Sequence, residues 1–158
     1  MNKKFLRGGQ LVMTLSDQSD AKIRSAIHEQ IKAFNNVQSE AHRLARRPGS
    51  VRPLHIILRD LAGNLRGGLI ADTYWTWLDI DDFWLPENVR GNGVGRLMLQ
   101  AAEKEAVRRG CRYAKLETFS FQARGFYERC GYKVVGELCD YPPGSSLFWM
   151  VKELLAAG

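Results

Sequence analysis

Leu85-Pro86-Glu87-Asn88-Val89-Arg90-Gly91-Asn92-Gly93-Val94-Gly95-Arg96 is a glycine-rich link between an apolar run and a long helical pattern. Phe83, Trp84 and Leu85 lead into it. Gly91, Gly93 and Gly95 stand at alternate positions, where a missing Cβ lets the backbone turn sharply. Their amide N–H groups then converge where a helix begins. A helix N-terminus carries unpaired donors and about half a positive charge, so strand, glycine loop and helix together form an anion site. Arg90 and Arg96 bracket the loop with two further positive charges. A phosphate-bearing cofactor is the expectation.

Two common phosphate loops fail against this string. A P-loop requires Gly-x-x-x-x-Gly-Lys-Ser/Thr, which the sequence lacks. A dinucleotide fingerprint requires Gly-x-Gly-x-x-Gly, and after Gly93 and Gly95 the third position is Met98. That loop also follows the first strand of a parallel domain, whereas several strands precede this one.

Outward from the loop, periodicity predicts the remaining elements. The stretch 1–9 reads as a flexible tail and 10–15 as a first strand. Ser16, Asp17 and Ser19 offer N-caps for a helix whose Ile23, Ile27, Ile31 and Phe34 share one face, and Asn35-Asn36 breaks it. A second helical piece runs toward Arg47. Strands follow over 53–58, 65–77 and 78–85, the first two joined by a turn at 60–64. The helix after the glycines puts Gly95, Met98, Leu99, Ala102 and Ala106 on one face, with Arg96, Gln100, Glu103 and Lys104 on the other. A strand over 113–119, a short helix over 122–130, and strands over 132–138 and 147–152 complete the chain. This order predicts a mixed sheet with helices on both faces.

The 158 residues suit one domain, taken as 10–158 after the tail. Three dispersed cysteines lack metal-ligand spacing and suit a reducing compartment. No metal site is expected, and His28, His42 and His55 are isolated. No apolar run reaches the roughly 20 residues needed to cross a bilayer, so a cytoplasmic protein is expected. The net charge of +6 favours anionic ligands, but its scatter and the lack of a nucleic-acid module argue against a dedicated nucleic-acid face.

Arg90-Gly91-Asn92-Gly93-Val94-Gly95 fits Arg/Gln-x-x-Gly-x-Gly/Ala and resembles the acetyl-CoA pyrophosphate loop of the GNAT N-acetyltransferase superfamily. Gln122-Ala123-Arg124-Gly125-Phe126-Tyr127-Glu128-Arg129-Cys130-Gly131-Tyr132 resembles the family's C-terminal helix, and Trp77 to Leu85 its cofactor strand. The resemblance covers essentially the whole chain and is to a small single-domain member of bacterial type. It implies an α/β (α+β) fold: a mixed, mostly antiparallel sheet of six to seven strands with helices on both faces.

The resemblance also implies roles. Acetyl-CoA would lay its pantetheine arm along Phe83, Trp84 and Leu85, with the Leu85 amide polarising the thioester carbonyl. Its pyrophosphate would rest on the amides of Arg90, Gly91, Asn92, Gly93, Val94, Gly95 and Arg96. Tyr127 matches the tyrosine that protonates the departing thiolate. Ser120 stands where many members have Asn, and it retains a hydroxyl for pantetheine or sulfur. Asp81, then Asp82, is the expected base, acting through a water; alternatively the aspartates bind a cationic substrate and the amine loses its proton to solvent. On strict alternation Asp79 and Asp81 share a face with Phe83 and Leu85, and Asp82 points the other way. Asn35, Tyr74, Trp75 and Asp79 are candidates for the acceptor pocket.

The expected activity is transfer of the acetyl group of acetyl-CoA to a primary amine of a small molecule, by direct attack in a ternary complex. A protein amine, aminoacyl-tRNA, or an idle acyl-CoA-binding module are the alternatives. Strand edges in this fold often pair, and the aromatic region from Tyr74 to Trp84 is the expected interface of a homodimer.

Overall fold

The computed structural model describes residues 3–6, 11–45 and 47–154, the first four as backbone alone. The described residues form eight strands and four α-helices, and the chain divides into two compact units, Met1–Arg43 and Leu44–Gly158.

In the first unit β1 (Lys3–Leu6) pairs antiparallel with β2 (Leu11–Thr14). Four residues of the expected tail are therefore a strand; its other residues, and Gln10, lie outside the described ones. α1 (Ala21–Gln38) is capped by Asp20 rather than by Ser16, Asp17 or Ser19. The Asp20 carboxylate accepts the Lys22 and Ile23 amides at 2.9 and 3.1 Å, satisfying two of the first-turn donors. The helix continues through Asn35-Asn36, since asparagine inside a helix costs only about 0.7 kcal/mol. There the Asn36 Oδ1 pairs with the Nδ1 of His42, on α2 (Glu40–Ala45), at 3.0 Å. Ile23, Ile27, Ile31 and Phe34 recur at the expected spacing and each is more than half exposed.

The second unit is a six-stranded sheet in the order β3 (Arg52–Arg59), β4 (Leu65–Tyr74), β5 (Trp77–Trp84), β6 (Tyr113–Phe119), β8 (Ser146–Glu153), β7 (Lys133–Cys139). β5 and β6 run parallel, with α3 (Val94–Arg108) between them in the chain, and the other neighbours are antiparallel. α3 and α4 (Arg124–Arg129) lie on one face of this sheet. There Leu54, Leu69, Ala71, Leu78, Ile80, Ala114, Leu116, Phe148 and Met150 meet Leu99, Ala102, Ala106 and Tyr127. Each buried leucine contributes about 1.5–3 kcal/mol.

Two expectations change in this second unit. The long strand over 65–77 is cut at Tyr74, because Trp75 and Thr76 adopt φ of +48° and +64° and make a two-residue hairpin turn. Glu103, expected on the polar face of α3, is buried, and its Oε2 accepts Lys152 Nζ from β8 at 2.6 Å. Among the described residues no helix is long and apolar enough to cross a membrane.

Candidate functional site

The end of β5 and the start of α3 are joined by Pro86, a one-turn 3-10 helix over Glu87–Val89, and the glycine loop. Gly91 and Gly93 adopt φ of +81° and +80°, and Gly93 is the left-handed residue from which α3 departs. A Cβ at either would touch nothing within 4 Å, so the glycines serve backbone conformation rather than internal packing, and the loop surface stays open. Gly95 differs: a Cβ there would lie 3.4 Å from Leu85 and 3.5 Å from the Phe126 ring, which press the first turn of α3 between β5 and α4. The first cap bond of α3 runs from the Leu97 N–H to the Gly93 carbonyl at 3.1 Å. The amides before it have no acceptor within a helix and point out of its end. Arg90 turns back, its Nε donating to the Leu85 carbonyl at 2.7 Å, and so clamps the loop to the strand. Arg96 instead borders a cavity of about 110 Å³ with Gln100, Glu103, Arg129, Cys130 and Lys152.

The sheet opens beside this loop. β5 pairs with β4 along its length, from Trp77 opposite Tyr74 to Trp84 opposite Gly68. It pairs with β6 only from Trp77 to Ile80, the last pair being Ile80 with Leu116. β6 meanwhile stays with β8 as far as Phe119. The two parallel strands therefore part after Ile80, leaving the β6-facing edge of Asp81 to Leu85 without a strand partner among the described residues, apart from the Leu85 carbonyl that Arg90 holds. No single-strand pattern could reveal this fork, because it is a property of two registers.

The same registers re-aim the aspartates. Ile70 lies opposite Asp82 and Ala71 opposite Ile80, so Asp81 is the extra residue of a β-bulge. Ile80 and Phe83 face α3 and α4, whereas Asp79 and Asp82 share the other face. The strict alternation expected from sequence, with Asp79 and Asp81 beside Phe83, fails at this bulge. Asp79 accepts the Tyr74 hydroxyl at 2.9 Å and Lys115 Nζ at 2.6 Å. Partial burial, then the charges of Asp79, Asp72 and Asp82, hold the Asp81 carboxyl above its ordinary range, against an opposing pull from Lys115. Tyr74 is pushed up to about 12, by burial first and then by its bond to Asp79.

Tyr127 is buried on α4, edge-on to Phe126 and to Tyr132 at ring-centroid distances of 5.2 and 5.8 Å. Phe126 in turn meets Phe83 edge-on at 6.0 Å, which ties α4 to the strand that enters the loop. Burial raises the Tyr127 phenol to about 12. Glycine loop and open strand edge thus meet at one fork, and Phe126 ties the helix that carries Tyr127 to it.

A family model described as the Acetyltransferase (GNAT) family matches residues 22–132. The chain belongs to the GNAT acetyltransferase family. It is 37% identical over 130 residues to a blasticidin-S acetyltransferase of Streptomyces morookaense, covering 78% of this chain and 96% of that one. It is 35% identical over 139 residues to an acetyltransferase of Agrobacterium fabrum, covering 87% and 96%. A crystal structure of an acetyltransferase from Bacillus cereus superposes with a TM-score of 0.74 at 26% identity, covering 89% of this chain and 98% of that one. The protein is an acetyl-CoA-dependent N-acetyltransferase.

The remaining candidates of this GNAT enzyme are placed less uniformly. Ser120, just past β6, accepts the Ser146 amide on its Oγ at 3.1 Å and donates its own N–H to the Ser146 carbonyl at 2.8 Å, so it fastens β6 to β8. Tyr74 and Trp75 stand at the hairpin end of β5, the opposite end from the glycine loop. Trp84 is 54% exposed on the Asp82 face. Asn35 lies on α1 in the other unit, its carbonyl accepting the Ser39 amide at 2.9 Å. Sequence reading missed Lys115 and Asp72, which set the charge around Asp81. Their signal is only cross-strand: Asp72 lies opposite Asp79, and Lys115 beside it on β6.

Proposed function

We propose that the enzyme acetylates a primary amine of a small cationic molecule by direct attack within a ternary complex. The observation that carries this is the acidic cluster of Asp72, Asp79, Asp81 and Asp82, of which Asp81 and Asp82 lie just past the point where β5 and β6 part. Such a cluster attracts an ammonium group, and one member with a raised pKa can take its proton. The 37% identity to a blasticidin-S acetyltransferase supports a small-molecule acceptor.

Acetyl-CoA supplies an activated acetyl thioester, and the residues present fit it. The open backbone edge at Phe83, Trp84 and Leu85 suits a pantetheine arm. The first-turn amides of α3, with Gly91 and Gly93 free of side chains, suit a pyrophosphate. Arg90 holds that loop in place, and Arg96 adds charge at the helix start. The Leu85 amide is the proposed donor to the thioester carbonyl. Ser120 spends its oxygen on Ser146, and its hydroxyl proton remains for the cofactor arm.

Asp81 is the proposed base. Burial first, and then the neighbouring carboxylates led by Asp79, which Tyr74 and Lys115 hold in place, raise its pKa toward the range where a base works best. Asp82, on the neighbouring face, is the second candidate. Tyr127 keeps its proton throughout the neutral range and is the proposed donor to the departing thiolate. The free thiols of Cys111, Cys130 and Cys139 support the expected cytoplasmic setting.

The test is thiol release from acetyl-CoA over a panel of polyamines, aminoglycosides, amino acids and peptides. At least one small cationic amine is expected to turn over, with kcat about 10²–10⁴-fold lower in Tyr127→Phe. Tight acetyl-CoA binding without turnover of any small amine refutes the reading, and turnover of peptides alone transfers it to protein acceptors.

A further inference from the structure

The far wall of the fork carries an aromatic cluster that the chemistry above leaves unused. Phe119 stacks with Phe121 at 5.1 Å with planes 6° apart, and with Tyr141 at 6.5 Å and 28°. Phe119 is half-buried, whereas Phe121 is 64% and Tyr141 54% exposed. Near-parallel rings with that much exposed surface keep apolar area in water that burial elsewhere would remove.

They are also held rigidly. The Tyr141 N–H donates to the Ser145 carbonyl and the Ser145 N–H to the Pro142 carbonyl, both at 2.9 Å. The Gly144 N–H reaches Asp140 Oδ1 at 2.7 Å. On the other side the Phe119 N–H is held by Gln122 Oε1 at 2.8 Å, and Ser120 is tied to Ser146 by two bonds. A surface ordered in advance lowers the entropic cost of binding.

The registers locate this cluster. Phe119 lies two and four residues beyond Glu117 and Lys115, and Lys115 lies opposite Asp79. Phe119 therefore belongs to the Asp79 and Asp82 face of the sheet, away from α3 and α4. β6 leaves β5 after Leu116, so Phe119, with the two rings stacked on it, stands on the β6 arm of the fork, and Asp81 and Asp82 stand on the β5 arm.

We propose that Phe119, Phe121 and Tyr141 form a stacking platform in the acceptor site, selecting amines that carry a flat aromatic or amidinium-type body. This rests on the small-amine reading above. The carboxylates draw any ammonium to the fork; only a flat molecule can also lie on the rings. Stacking on exposed aromatic rings, with a cation–π component for a charged ring, raises affinity about tenfold over an aliphatic amine of equal charge.

The experiment titrates CoA-saturated enzyme with two dications, 4-(aminomethyl)benzamidine and 1,4-diaminobutane. The flat dication is expected to bind about tenfold more tightly. Phe121→Leu with Tyr141→Leu removes that preference, and Tyr141→Phe retains it. Melting curves and CoA titrations confirm that each variant is folded and loaded. Equal affinity for the two dications, no binding of the flat one, or a preference that survives the double leucine variant overturns the proposal. A variant that loses CoA affinity equally places the rings in the cofactor slot and overturns it too. Failure of every small amine to turn over while the flat dication still prefers the wild-type platform refutes the catalytic reading and leaves the platform standing.

Discussion

Replacing Gly67 by alanine tests how β4 positions the open edge of β5, the proposed seat of the cofactor arm, from behind. Gly67 has φ of +146°, and a Cβ there would sit 2.7 Å from both the Trp84 carbonyl oxygen and Leu85 Cδ2. The leucine methyl can swing aside, but the carbonyl belongs to the backbone of β5, so the strand end must shift. A side chain at such a φ costs about 1–3 kcal/mol, and overpacking adds a similar amount. A total of about 4 kcal/mol lowers Tm by about 8–16 °C in a chain of this size. Gly63→Ala separates the two causes. Gly63 has φ of +86° with nothing within 4 Å of a Cβ, so only the conformational part applies, about 1 kcal/mol and about 3 °C. Thermal unfolding of both variants reads stability, and acetyl-CoA titration reads the strand edge. Acetyl-CoA affinity is expected to fall in Gly67→Ala and to hold in Gly63→Ala. Equal losses of Tm in the two variants, or unchanged acetyl-CoA affinity in a destabilised Gly67→Ala, refute the reasoning.

The chemistry and the loop yield further tests. Asp81→Asn is expected to lower kcat about 100-fold near neutral pH, with Asp82→Asn affected less. Because a basic medium frees the amine unaided, the Asp81→Asn deficit narrows as pH rises, and a deficit constant across a pH–rate profile contradicts its role as base. Arg90→Gln removes the Nε bond to the Leu85 carbonyl and is expected to raise the KM for acetyl-CoA about tenfold with kcat little changed, measured by initial rates. The Tyr127 pKa is raised from 10 to about 12 in the folded state. The unfolded chain therefore loses that proton first, so this stability is complete below pH 10 and declines from pH 10 toward 12. Urea unfolding at pH 10 and 11 is expected to differ by about 1 kcal/mol from this group, and Tyr127→Phe to reduce the difference.

Much of the second unit was legible because its signals are local. The β6 limits agree at both ends, and Gly110, with φ of +89°, stops α3 where its composition predicts. The Asn35-Asn36 break failed because a weak propensity yields to hydrogen bonds such as that between Asn36 and His42. Trp75 and Thr76 read as strand because their side chains favour it, yet the hairpin needs them at positive φ. Glu103 read as surface because its partner, Lys152, stands 49 residues away on β8.

By itself the sequence determined the cofactor and the family. Loop glycines, helix start and Tyr127 motif depend on backbone freedom and residue spacing, which a linear string records. The tertiary structure decided the fork between β5 and β6, the bulge that sets Asp81 apart from Asp79 and Asp82, and the meeting of Phe119 with Phe121 and Tyr141. The first two depend on register between paired strands, and the third on a loop brought back beside the end of β6. A one-residue shift turns a side chain to the other face of the sheet without changing a letter of the pattern that predicts the strand.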